Sequence, residues 1–225
     1  IIGSGQTSLA KFLFIAAHDD DPKLSTRDIP QYFNHFLKRI DLTRDLHFHT
    51  RTTIDTLDYS GTGWNAGSKL VIACRGPVLR KLTTELPENF SLPAGFSDPQ
   101  FIQSGLLAIK GNPFTGEDSR ANMHRLAKHL EAFNLDNIPM IIVGDDSAFL
   151  AQTTNNFVWA TFTRANPSHD IYGVRAFTEF KHWGCHGPML IDARIKPHHA
   201  PELVPDPTVT NKVDRLFSKG GELYN

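Results

Sequence analysis

The chain has 225 residues, enough for one large domain or two small ones. Hydrophobic residues make up 40% and charged residues 21%, as in ordinary globular proteins, and the net charge is −1 with both signs interspersed. There is no basic stripe for nucleic acid, no polybasic or amphipathic segment for a membrane surface, and no apolar run longer than a strand. With no signal-peptide pattern at its start, the expectation is a cytoplasmic protein without a membrane span.

The opening Ile1-Ile2-Gly3, which lacks an initiator Met, reads as the start of a fragment. Residues 12–17 form an apolar run that ends in the acidic turn His18-Asp19-Asp20-Asp21-Pro22, as a strand buried on both faces would. A helix follows. Asp28 suits its N-cap, Pro30 its first turn, and Ile29, Tyr32, Phe33, Phe36, Leu37 and Ile40 fall on one face. Residues 46–49 alternate as a second strand, and the glycine loop 61–67 leads to a third at 69–74. Residues 1–84 thus make a first β-α-β-β unit. Residues 85–138 read as a spacer with an edge strand over 101–110 and a helix over 117–133.

The first unit then returns within residues 139–225. Adding 125 to the numbering superposes Asp20 on Asp145, Tyr32 on Phe157, Leu37 on Phe162, Arg39 on Arg164 and Asp45 on Asp170. A shorter loop brings residues 70–72 onto 189–191, and Arg75 onto Arg194. This points to an internal duplication. The fold class expected is α/β, a mixed, largely parallel sheet flanked by helices and built from two related β-α-β-β units. The tail, proline-rich from Pro197 to Pro207, ends in a helix over 206–218 with Val209, Val213, Leu216 and Phe217 on one stripe, which must pack on its own domain or on another chain.

Few residues suggest chemistry. Cys74 and Cys185 read as buried free thiols. His47 and His49 share a strand face, and His182, Cys185 and His186 crowd one turn, but neither set has ligands at full metal spacing. The acidic strand ends Asp19, Asp20, Asp145 and Asp146 stand where open sheets bind ligands, yet acids also favour a helix's first turn. The glycine loops lack the P-loop ending and the dinucleotide spacing, and no Ser-His-Asp or Cys-His set stands out.

Several pieces come in a characteristic order. The apolar strand ending at Asp19-Asp20-Asp21, then Arg44-Asp45, Thr53-Ile54-Asp55-Thr56-Leu57-Asp58 and Gly67-Ser68-Lys69 together resemble the C-terminal segment of the UbiD family of decarboxylases. The second unit echoes it with Asn166-Pro167, Asp170, Ile191-Asp192-Ala193 and Pro205-Asp206-Pro207. The resemblance implies a parent enzyme that removes CO2 non-oxidatively from aromatic or α,β-unsaturated acids in quinone biosynthesis and related pathways. Its cofactors would be prenylated FMN with a divalent metal (manganese or magnesium) and potassium, held in a missing N-terminal catalytic domain. The family's C-terminal domain mediates homo-oligomer formation and lends apolar residues to the substrate pocket. On that basis Ile54, Thr56 and Leu57 stand nearest the pocket wall, Ser4 and Gln6 nearest the cofactor, and no catalytic residue or metal ligand is expected here. The family's usual segment is a single such unit, so two units suggest a longer subfamily. A stand-alone α/β ligand- or metal-binding module is the alternative, and a metal-dependent hydrolase using Asp145, Asp146 and nearby histidines a third.

Overall fold

The computed structural model describes residues 5–201 and 204–224. The first three strands, β1 (Phe12–Ala16), β2 (Leu46–Thr52) and β3 (Gly67–Cys74), form a sheet in the order β1-β3-β2. Here β1 runs parallel to β3 and β2 antiparallel to it. A second sheet has the order β4-β5-β6-β10-β7, from β4 (Phe96–Gln103), β5 (Leu106–Gly111), β6 (Met140–Gly144), β7 (Ile171–Gly173) and β10 (Met189–Asp192). A hairpin of β8 (Ala176–Glu179) and β9 (His182–Cys185) stands apart. The helices are α1 (Ile29–Arg39), α2 (Glu117–Leu130), α3 (Ser147–Gln152), α4 (Thr154–Arg164), the single turn α5 (Pro167–Asp170) and α6 (Pro207–Phe217).

The α/β class holds, with two differences of detail. There are two principal sheets instead of one, and antiparallel pairings outnumber parallel ones, four to three among the described residues. The run 101–110 is two strands of a hairpin, because Gly105 at φ +77° lets the chain reverse between β4 and β5. It is β4 that lies at the edge, whereas β5 pairs with β6 inside the sheet. Residues 85–138 therefore supply two strands and α2 to the second sheet.

Alternation assigns the faces of that sheet. Leu107, Ile109, Ile141, Val143 and Leu190 meet Met123, Leu126 and Leu130 of α2. Leu106, Ala108, Met140, Ile142, Met189 and Ile191 face the other way. They share a core with Phe36 and Leu37 of α1, with Phe157 and Ala160 of α4, and with Leu46, Leu70 and Ile72 of the first sheet. Phe33 and Phe157 join the helices, their rings edge to face at 5.2 Å. Contrary to the sequence expectation, β1 is only half-buried along its length, because it is an edge strand.

Strands β1, β2 and β3 and strands β6, β7 and β10 share a pairing pattern, although the second stretch adds α3, α5 and the β8–β9 hairpin between its strands. In each, the first strand runs parallel to the last, which pairs antiparallel with the one between. Leu46 opposes Ile72 as Ile171 opposes Ile191. The turns before β2 and β7 match as well. Asp45 accepts the Asp41 N–H at 2.8 Å, and Asp170 accepts the Asn166 N–H at 2.7 Å. The first strands are also offset: Phe12 opposes Leu70 and Met140 opposes Met189, an offset of 128 instead of 125. The three residues without a counterpart, 17–19, fall at the start of the 3-10 turn His18–Asp20.

Candidate functional site

An apolar cleft of about 770 Å³ opens where the two stretches meet. Phe12 and Phe14 come from β1, Tyr32 from α1, Trp159 and Phe162 from α4, and Leu57 from the loop after β2. The rings of Phe12 and Phe14 lie 4.9 and 5.3 Å from Phe162, both edge-on. The Tyr32 hydroxyl donates to the Phe14 carbonyl and accepts from the Ala16 N–H, so its polar tip is satisfied.

Lys11 closes one end of the cleft. Its ammonium, 6% exposed, lies 2.9 Å from the Asp58 carboxylate and donates to Ser60 Oγ and to the Thr163 carbonyl. Burial pulls its pKa down, and the Asp58 charge opposes that pull. Asp58 and Tyr59 also border a second, more polar cleft of about 500 Å³, lined by Thr56, Trp64, Asn65, Lys196 and His198. Residues 56–59 are therefore a ridge between two clefts. Leu57 is 78% exposed and Trp64 82%, and Tyr59 is exposed as well.

The residues expected to matter fall in different places. Ile54 is buried beneath the glycine loop, where a Cβ on Gly61 or Gly67 would come within 2.5 or 2.8 Å of its Cδ1. Those glycines make room for Ile54 and are no phosphate cradle, since Thr62 N–H donates to the Ala66 carbonyl inside the loop. Thr56 faces the second cleft and Leu57 the first. Gln6 is exposed on the short 3-10 helix Gly5–Leu9, and Ser4 lies outside the described residues.

Three of the acidic strand ends are structural ties. Asp20 accepts the Gly76 N–H at 2.8 Å, and Asp145 accepts the Ile195 N–H at 2.8 Å and meets Arg164 at 3.3 Å. Asp146 caps α3 by accepting the Phe149 N–H, while Asp19 is exposed. Among the described residues no three His, Cys, Asp or Glu side chains converge to hold a metal ion. His182 Nε2 is 2.9 Å from the Thr43 carbonyl, and both cysteines are buried with their thiols pushed up to about 12 by desolvation.

Periodicity missed the buried polar groups beside the second cleft. Arg194, 1% exposed, makes two contacts with Asp192 at 2.8 and 2.7 Å and donates to the Asn112 and Ser119 carbonyls. Lys196 lies 3.4 Å from Asp170, whose pKa burial raises. His199, on the lining of the apolar cleft, accepts the Lys196 N–H at Nδ1. Burial, reinforced by Lys196, holds its pKa down to about 4. A depressed histidine favours folding while neutral, so its contribution is complete above about 6.5 and is lost as pH falls towards 4. His199→Asn keeps an acceptor for the Lys196 N–H and does not titrate. Its melting temperature should fall less than the wild type's between pH 7 and pH 4.5, and parallel curves would refute the assignment.

No helix among the described residues is long and apolar enough to cross a membrane. Residues 1–74 match the family model of the 3-octaprenyl-4-hydroxybenzoate carboxy-lyase C-terminal domain. An uncharacterised protein of Chlamydia caviae is 30% identical over 220 residues, 97% of this chain and 35% of the relative. A protein of Chlamydia pneumoniae, named as one of the subunits of a 4-hydroxybenzoate decarboxylase, is 29% identical over 219 residues, 96% of this chain and 35% of the relative. The chain spans about a third of the length of the curated relatives it matches. The similarity to the 3-octaprenyl-4-hydroxybenzoate carboxy-lyase C-terminal domain thus covers residues 1–74, about a third of the chain.

Proposed function

We propose that this chain is the C-terminal assembly and pocket-wall part of a decarboxylase that removes CO2 non-oxidatively from an aromatic or α,β-unsaturated acid. The observation that carries this reading is the ridge over 56–59, which with Trp64 presents large uncovered side chains within the matched family segment. The upstream part would hold prenylated FMN, its divalent metal and potassium, and the ridge would close the substrate pocket from the apolar side. Homo-oligomer formation through this part, and quinone biosynthesis as the setting, belong to the same reading. The matching strand pairing of the two units supports an internal duplication, and relatives alignable along nearly the whole chain support a longer subfamily that carries it.

The test begins with the chain alone. Titrated with FMN and with prenylated FMN by fluorescence, it should show no saturable binding, and it should release no CO2 from 4-hydroxybenzoate. Co-expressed with the upstream two-thirds of a relative, it should restore activity. Leu57→Glu with Trp64→Glu should then lower kcat/KM about tenfold or more while leaving the fold intact. Micromolar one-to-one flavin binding by the chain alone would sink the proposal, as would activity indifferent to the ridge.

A further inference from the structure

We propose that Lys11 is the positioning residue of the ridge: its buried ammonium is the latch that fixes where residues 55–64 lie, and with them the apolar wall given to the substrate pocket. The consequence for the pocket rests on the reading above, whereas the latch stands on geometry alone. Little else holds the ridge. Leu57, Tyr59 and Trp64 are exposed, so apolar packing covers few of its large side chains. Its other hydrogen bonds stay within the loop and its base. Leu57 N–H donates to Asp55, Ser60 N–H to Asp58, Thr62 N–H to the Ala66 carbonyl and Ile54 N–H to the Asn65 carbonyl. Among the described residues, each hydrogen bond that joins 55–64 to a part of the chain outside this loop is donated by Lys11.

Lys11 is itself firmly placed. It directly precedes β1, and its carbonyl accepts the Leu70 N–H of β3 at 2.9 Å, which fixes its backbone at the start of the sheet. An ammonium has three donors, and here all three are used. They reach Asp58 at 2.9 Å, Ser60 Oγ at 2.6 Å and the Thr163 carbonyl at 3.2 Å. The first two acceptors belong to the ridge loop and the third to α4, so one side chain joins the ridge to both stretches. The Asp58 carboxylate also accepts from the Ser60 N–H and hydroxyl, which makes acid, hydroxyl and ammonium one closed set. Ser60 is accordingly buried although Tyr59 beside it stands out. A buried ion pair loses in desolvation most of what it gains in attraction. The latch therefore sets where the ridge lies more than how firmly the chain folds.

Hydrogen exchange on the chain alone reads the latch. In Lys11→Met the amides of Leu57, Ser60 and Thr62 should exchange about tenfold faster or more, while Leu70 and Ile72 of β3 keep their wild-type rates. Equal acceleration in β3 would make Lys11 a residue of the fold, and unchanged ridge amides would leave it no hold on the ridge; either result overturns the proposal. Because Lys11→Met strands the Asp58 carboxylate, the second variant is Lys11→Met with Asp58→Asn, which keeps an acceptor for the Ser60 N–H. The ridge amides should remain fast in it, since nothing then donates to Ser60 Oγ or to the Thr163 carbonyl in place of the ammonium. A return to wild-type exchange would trace the loosening to the stranded charge, and the latch would fail. The pocket is read separately, in the co-expressed enzyme. There the double variant should raise KM about fivefold or more with kcat nearly unchanged. Fast ridge amides with unchanged kinetics would keep the latch and end the pocket-wall reading instead.

Discussion

Arg194→Met is expected to destabilise the protein by about 3–5 kcal/mol, because it leaves the fully buried Asp192 carboxylate without its countercharge. The guanidinium also satisfies two backbone carbonyls, Asn112 and Ser119, and so ties the end of β5 and the start of α2 to the end of β10. For a chain of this length the melting temperature should drop by about 6–20 °C. Truncating one partner of a buried pair costs far more than the pair is worth, so removing both charges should hurt less. Asp192→Asn combined with Arg194→Met should recover part of the loss, as measured by thermal and urea unfolding. A single variant within about 1 kcal/mol of the wild type would mean that water reaches Asp192 and that the pair is unimportant.

What the sequence made legible follows a physical divide. Local signals held: Asp28 caps α1 through the Gln31 N–H, and the stripe of α2 is buried at Met123, Leu126 and Leu130. The correspondence of Asp20 with Asp145 was visible because each carboxylate does a similar job, fixing the backbone just beyond β3 and β10 respectively. Burial depends on partners far along the chain, and periodicity is blind to them. The run at β1 looks like a strand covered on both faces, yet it is an edge strand whose residues are all only half-buried. Strand pairing was hidden likewise, since nothing near residues 106–111 says that the partner lies at 140–144. The ridge was legible only through family resemblance. Of its three expected residues, Ile54 turned out to support the glycine loop from below. Arg194 and Asp192 were visible as matched positions, but nothing marked them as a buried pair, because two charges two residues apart usually lie on a solvated strand face.

Phe157→Ala should cost about 3–5 kcal/mol, since the ring is 1% exposed and packs edge to face against Phe33 and Phe162. The distribution of that loss matters more than its size. The second sheet has a core on each face, one against α2 and one shared with α1, α4 and the first sheet. The first sheet has only the shared core, and α4 supplies much of its cover. A cavity at Phe157 therefore weakens the shared core that holds β1, β2 and β3, while the α2 face of the second sheet is untouched. Hydrogen exchange separates the two. In the variant, amides of Leu70 and Ile72 should exchange roughly 100-fold faster or more than in the wild type, whereas Ile141 and Val143 should gain much less. Trp183 packs against Phe48 at 5.4 Å and should report the early opening by fluorescence. Equal acceleration in both sheets would mean that the stretches unfold as one unit and that the second core gives β6 no independent protection.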